Sequence, residues 1–102
     1  PYLERIVFRA KSGERDALTE ILLRIRDLMG EPHPSVSRPA TGDTNALMMM
    51  RMVTDFGAIG EFRAQQEENT ETRAAYEDAE RLCESVEREY ARLVRLVRRA
   101  DE

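Results

Sequence analysis

The sequence predicts an α+β fold in which an antiparallel sheet carries helices on one face. Strand-like alternation opens the chain, a helical stripe of apolar residues follows, and an apolar segment bounded by turns lies near the middle. With 102 residues and a mass of 11.8 kDa, the chain is expected to form one domain over residues 1–102. A domain of this size has a modest core, so sharing a core with a second subunit would stabilise it.

The first strand is predicted over Leu3–Ala10, where side chains alternate between two faces. One face carries Ile6 and Phe8 and is expected to be core. The other face is mixed and carries Arg5, Val7 and Arg9. A short turn at Lys11–Gly13 separates this strand from the first helix.

That helix is predicted from Glu14 to Met29, with Glu14 and Asp16 in the first turn, where the helix dipole favours acidic residues. Its apolar residues recur at spacings of three and four and form one stripe that can cover the strand. The stripe consists of Leu18, Ile21, Leu22, Ile25, Leu28 and Met29. Gly30 is expected to end the helix as a C-terminal cap.

The segment Glu31–Asp43 contains three of the four prolines and therefore cannot be a regular helix. Val36–Arg38 is predicted to be a short edge strand, where neighbouring prolines are tolerated. Thr41–Thr44 is predicted to be the hairpin turn that leads into the next strand.

The most apolar segment, Asn45–Thr54, is predicted to be a strand buried on both faces. Alternation places Leu47, Met49, Arg51 and Val53 on one face and Met48, Met50 and Met52 on the other. Helices of the same chain are expected to cover one of these faces. We infer a second subunit over the face that carries Arg51.

Asp55 is predicted to cap a helix that runs to about Gln66, and Asn69 or Thr70 is predicted to cap a second helix. Two interpretations of the remaining chain stay open. A heptad pattern predicts one amphipathic helix to the C-terminus, through Tyr76, Ala79, Cys83, Val86, Tyr90, Leu93, Val97 and Ala100. Alternation and β-branched residues predict instead a final strand over Glu89–Val97.

This order of elements is that of a ferredoxin-like domain. The segments Arg38-Pro39-Ala40-Thr41-Gly42 and Asp55-Phe56-Gly57-Ala58-Ile59-Gly60-Glu61-Phe62 resemble the dimeric α+β barrel superfamily, which includes antibiotic-biosynthesis monooxygenase-like, stress-responsive barrel and NIPSNAP-like proteins. Arg88-Glu89-Tyr90 is similar to the start of the closing strand in that group, although a glycine common before it is absent. The resemblance implies a homodimer whose sheets face each other, with pockets between sheet and helices.

Composition excludes several classes of function. The net charge of −4 disfavours a nucleic-acid-binding surface, and no apolar run is long enough for a membrane helix. The single cysteine, Cys83, excludes an internal disulfide and a cysteine zinc cluster, and the single histidine, His33, excludes a two-histidine metal site. We expect no metal or cofactor. The N-terminus lacks a signal pattern, so a bacterial, cytoplasmic protein is expected.

Four residues are candidates for ligand binding. Arg9 and Arg51 are predicted to share a sheet face with Arg5, where they could orient an acidic ligand through charge-assisted hydrogen bonds. Met49 could form an apolar pocket wall, and His33 could act as a general base or haem ligand. The competing interpretations are ion pairs for the arginines, core packing for Met49 and a surface loop for His33.

Two functions are therefore compatible with the sequence. One is binding of a small hydrophobic or acidic metabolite, with cofactor-independent oxygenase or isomerase chemistry as an extension. The other is a non-catalytic module for homodimerisation or protein interaction. None of the motifs is itself catalytic, so the sequence leaves open whether the chain is an enzyme.

Overall fold

A computed structural model describes residues 1–31 and 33–94, apart from the side chains of residues 56, 58, 59, 62 and 66. The elements are β1 (Tyr2–Ala10), α1 (Arg15–Leu28), β2 (Ser35–Ser37), β3 (Ala46–Val53), α2 (Phe56–Glu68), α3 (Thr70–Arg81) and β4 (Cys83–Arg92). Within the described residues the strands form one sheet in the order β2-β3-β1-β4, and all neighbours are antiparallel. The predicted ferredoxin-like α+β fold is confirmed.

The core lies between the sheet and the helices. On β1 the buried residues are Glu4, Ile6, Phe8 and Ala10, which alternate with partly exposed neighbours. α1 presents its predicted stripe to this face, and Leu18, Leu22 and Ile25 are fully buried. α3 packs beside α1 through the small residues Ala75 and Ala79. We call this side of the sheet the helix face.

The opposite side of the sheet, called here the open face, carries the alternate residues of each strand. Its apolar members are Leu3 and Val7 on β1 and Met48, Met50 and Met52 on β3. Its charged members are Arg5 and Arg9 on β1 and Glu87 and Glu89 on β4. α1 and α3 pack on the helix face, so neither of these two helices covers the residues of the open face.

The connection between β2 and β3 contains the predicted turn. Gly42 has a φ of +87°, a conformation that glycine adopts without strain. The Asp43 side chain accepts a hydrogen bond of 2.9 Å from the Asn45 N–H and thereby tightens the turn. α1 ends at Leu28 with the extended Met29 as its C-cap, and Gly30 has no positive φ, so the prediction that Gly30 caps the helix is wrong.

The final element is a strand, and the long-helix interpretation is wrong. β4 begins at Cys83, six residues before the predicted start, because it pairs with β1 along its whole length. A spacing of four residues, as between Val86 and Tyr90, fits a helix stripe and one face of a strand equally well. Val94 follows the strand and is 99% exposed, and residues 95–97 of the predicted strand lie outside the described part.

Replacing Gly42 with alanine should lower the free energy of unfolding by about 1 kcal/mol, because alanine is strained at positive φ. Gly30→Ala is the matched control, since Gly30 has no positive φ and a Cβ there would meet no atom within 4 Å. Urea unfolding of the two variants measures the difference. Equal effects of the two changes would contradict this account of the turn.

Candidate functional site

A row of polar side chains crosses the helix face of the sheet. The strand register places Glu4 of β1 opposite Arg51 of β3 on one side and opposite Tyr90 of β4 on the other. Glu4 and Arg51 are buried, and Tyr90 is partly buried. Beyond this row, toward the other end of the sheet, the helix face is filled by the apolar core.

Glu4 and Arg51 form a buried ion pair. The Arg51 Nε–H donates to Glu4 Oε1 at 2.7 Å, and the two side chains are 6% or less exposed. Such charge-assisted bonds are short and strong, but removing both ions from water carries a large cost. A well-packed apolar pair often gives equal or greater stability, so a pair retained here is a candidate for a functional role.

Tyr90 completes the row on the β4 side. Burial, followed by hydrogen bonding to Glu4 and the negative charge of Glu4, raises the pKa of the Tyr90 phenol, and Arg88 and Arg63 oppose this shift. Tyr90 is therefore a neutral hydrogen-bond donor at physiological pH. The heptad pattern in the sequence places Tyr90 on a helix stripe, whereas its four-residue distance from Val86 fits one face of the observed strand β4 equally well.

A surface cleft of about 200 Å³ opens beside this row, between α2, α3 and β4. Its lining residues are Arg63 and Glu67 from α2, Arg73, Tyr76 and Glu80 from α3, and Arg88 from β4. Arg88 lies opposite Ile6 and Tyr90 lies opposite Glu4, so both belong to the helix face of β4 and are two residues apart. Arg88 thus connects the lining of the cleft to the polar row along β4.

The predicted arginine cluster does not form as a unit. Arg51 lies on the helix face, whereas Arg5 and Arg9 lie on the open face, so the prediction that they share a face is wrong. The prediction that a second subunit covers Arg51 is also wrong, since Arg51 is buried within its own chain. The physical reason is Glu4, which shares a face with Ile6 and pairs with Arg51 on that side.

The open-face arginines are paired within the chain. Arg9 Nη1 is 3.0 Å from Glu87 Oε1, and Arg9 Nε is 3.6 Å from Asp43 Oδ2. Arg5 Nη2 lies 3.7 Å from Glu89 Oε1. Ligand binding by Arg9 stays a prediction, and these pairs compete with it.

Met49 and His33 lie apart from each other. Met49 is 2% exposed and packs in the core next to the polar row on β3. His33 is exposed, with Nδ1 3.1 Å from the Arg26 carbonyl oxygen and Nε2 3.4 Å from Glu31 Oε1. That position satisfies a free carbonyl at the end of α1, which is a structural use of the imidazole. A ligand role for either residue stays a prediction.

Cys83 is buried at the start of β4. Burial, and next the charge of Glu80, raise the pKa of its thiol, with Lys11 acting in the opposite direction. A buried thiol of raised pKa is a poor nucleophile. Among the described residues, no group of three or more His, Cys, Asp or Glu side chains is arranged to hold a metal ion.

Solved structures share this architecture. A NIPSNAP family protein from Agrobacterium tumefaciens superposes with a TM-score of 0.75 at 15% identity, over 87% of this chain and 82% of that one. A NIPSNAP domain protein from Burkholderia xenovorans gives 0.74 at 15% identity, over 98% and 96%. A candidate antibiotic biosynthesis monooxygenase from Chloroflexus aurantiacus gives 0.64 at 17% identity, over 95% and 97%.

The chain has the NIPSNAP-like fold. The resemblance drawn from the sequence is thus confirmed at the level of fold, which is what identities of this size establish. Neither a protein-family model nor a curated protein matches the sequence significantly. In the described part of the chain, no helix combines the length and the apolar character needed to cross a bilayer.

Removing either partner of the Glu4–Arg51 ion pair alone should destabilise the protein more than removing both partners together. Glu4→Gln and Arg51→Met should each lower the free energy of unfolding by about 3–5 kcal/mol, because each leaves one uncompensated buried charge. The double variant should recover a large part of this loss, since it buries no charge, and the glutamine amide that replaces Glu4 would still accept from Tyr90. Urea unfolding of all four proteins measures the coupling; additive losses would contradict a mutual pair.

The phenol of Tyr90 should ionise late in an alkaline titration followed by phenolate absorbance. Tyr90→Phe should remove the step at highest pH from the absorbance titration curve. Glu4→Gln should move that step toward the ordinary tyrosine pKa of about 10. Folding raises the pKa of Tyr90, so protonated Tyr90 contributes to the free energy of unfolding below the pKa of the unfolded phenol. This contribution is lost as pH rises from that value through the folded pKa. If Glu4→Gln leaves this high-pH step unchanged, Glu4 does not raise the pKa of Tyr90.

Proposed function

We propose that this chain is a homodimeric α+β barrel protein that binds a small molecule between its sheet and helices. The observation that carries the proposal is the buried Glu4–Arg51 pair, with Tyr90 beside it, next to a cleft open to solvent. A buried ion pair is not required to stabilise a core, because an apolar pair of similar volume is often as stable. Pockets that bind small molecules commonly combine apolar walls with a few precisely placed polar groups. We place the protein in the cytoplasm, where Cys83 would stay reduced.

The side chains in this row suit proton transfer. In this proposal Glu4 acts as the general base, and the neutral Tyr90 phenol turns its single O–H from Glu4 to the developing oxyanion of a bound substrate. Isomerisation by proton transfer removes a proton from one carbon and returns it to another. A cofactor-independent oxygenase begins with the same removal and then uses molecular oxygen as the oxidant. One fold neighbour bears the name of an antibiotic biosynthesis monooxygenase, which supports this class of chemistry for the proposal.

The open face supports the homodimer. It spans about 19 Å across four strands and about 30 Å along β1, or at most about 570 Å² in projection, which is somewhat below the roughly 800 Å² that each partner of a standard interface buries. Met48 and Met50 are half-buried on it and Met52 is 40% exposed. The pairing of Arg5 and Arg9 with glutamates of the same chain neutralises the remaining charges, so a second copy can cover them at lower cost.

A non-catalytic homodimerisation module is the second candidate, because the open face supports association without any use of the cleft. Native mass spectrometry of gently purified protein separates the two. The proposal expects a dimer of twice 11.8 kDa that carries a discrete additional mass. A dimer without additional mass would favour the dimerisation module, and a monomer would contradict both candidates.

A charge placed on the open face should dissociate the dimer. Met50→Asp buries an unpaired carboxylate in the proposed interface, and the expected result is a monomer by light scattering after gel filtration. Leu23→Asp is the matched control, since Leu23 is a 45% exposed apolar residue on α1, away from the sheet. If Met50→Asp remains dimeric, the open face is not the interface.

A further inference from the structure

Three arginines meet in the cleft from three different elements, Arg63 from α2, Arg73 from α3 and Arg88 from β4. All three are exposed, so they are available to a molecule that enters from solvent. The same cleft contains Glu67 and Glu80, which leaves the lining with one net positive charge in a chain whose net charge is −4. The cleft is therefore locally positive on an acidic protein.

These arginines differ from most others in the described part of the chain. Eight arginines there have a carboxylate oxygen within 3.8 Å, namely Arg5, Arg9, Arg15, Arg24, Arg26, Arg38, Arg51 and Arg81. Among the described residues, no such ion pair forms at the three cleft arginines, even though two glutamates line the same space. Arg92 also forms no such ion pair with the described residues, and its guanidinium lies over the ring of Tyr2.

We propose that Arg63, Arg73 and Arg88 hold the anionic group of a small acid, a carboxylate or a phosphate, and so present the rest of the molecule to the polar row. This inference rests on the proposed function and names the substrate class of that site. Guanidinium groups bind carboxylate and phosphate with two parallel hydrogen bonds each, which fixes orientation as well as position. Tyr76 adds an aromatic surface to the same wall.

The geometry limits the size of the acid. Arg88 and Tyr90 are two residues apart on one face of β4, which is about 7 Å along a strand. A compact acid held at Arg88 can therefore reach toward Tyr90 along the same face of the strand. A volume of about 200 Å³ is below that of pockets for drug-sized ligands, about 300–1,000 Å³, so the acid is small.

The test is a titration of the ¹⁵N-labelled protein with benzoate, with inorganic phosphate and with benzamide, followed by NMR. Benzoate or phosphate should shift resonances of the cleft arginines, and benzamide, the neutral counterpart of benzoate, should bind at least tenfold more weakly. Arg73→Gln and Arg88→Gln should each weaken anion binding at least tenfold. Arg92→Gln is the matched control, because it removes an exposed arginine of β4 outside the cleft, and it should change binding less than twofold.

Two results would overturn the inference: no shift of the cleft resonances with either anion, or equal losses for Arg88→Gln and Arg92→Gln. The proposed function is tested separately by the molecule retained in native mass spectrometry. If that molecule is lost in Tyr90→Phe but kept in both cleft variants, the arginine inference fails while the proposed function stands. If it is lost in all three, both stand.

Discussion

The Glu4–Arg51 ion pair joins the two central strands of the sheet, and the allocation of side chains to the two faces depends on that register. Side chains alternate along a strand, so a slip of one residue between β1 and β3 would move every side chain of the shifted strand to the other face. Such a slip would place Glu4 and Arg51 on opposite faces of the sheet and leave one of the two charges buried on the helix face without its partner. The pair therefore disfavours the wrong register, and the correct one sends Met48, Met50 and Met52 to the open face.

The same pair links stability to the proposed chemistry. Burying two ions is a costly way to hold strands together, and an apolar pair of similar volume would often be more stable. The polar row lies at the end of the apolar core, and Arg88 of the cleft lining shares one face of β4 with Tyr90 of the row. A sheet built in this way keeps a carboxylate and a phenol fixed by the fold, while arginines supplied by the helices remain exposed at the entrance.

Local sequence patterns were sufficient to predict that β1, α1 and β3 exist. Alternation of apolar residues marks the two strands, as at Ile6 and Leu47, and the three-four spacing marks the helix, as at Leu18. They were insufficient where two periods coincide, as in β4, or where the decisive partner lies 47 residues away, as for Arg51 and Glu4. The alternation along β1 places Glu4 on the same face as Ile6. This placement in the core was the sequence feature from which the buried ion pair could have been predicted. The arginine cleft had no signature, since its members are brought together only by the packing of α2, α3 and β4.

The most direct test of this two-faced sheet is an isotope-filtered NMR experiment on a mixture of methyl-labelled and unlabelled protein. The five methionines report on both faces, because Met48, Met50 and Met52 lie on the open face, whereas Met29 and Met49 lie in the core. The account predicts intermolecular contacts from the methyl groups of Met48, Met50 and Met52 and none from Met29 or Met49. Intermolecular contacts from Met49, or none from the open-face methionines, would contradict it.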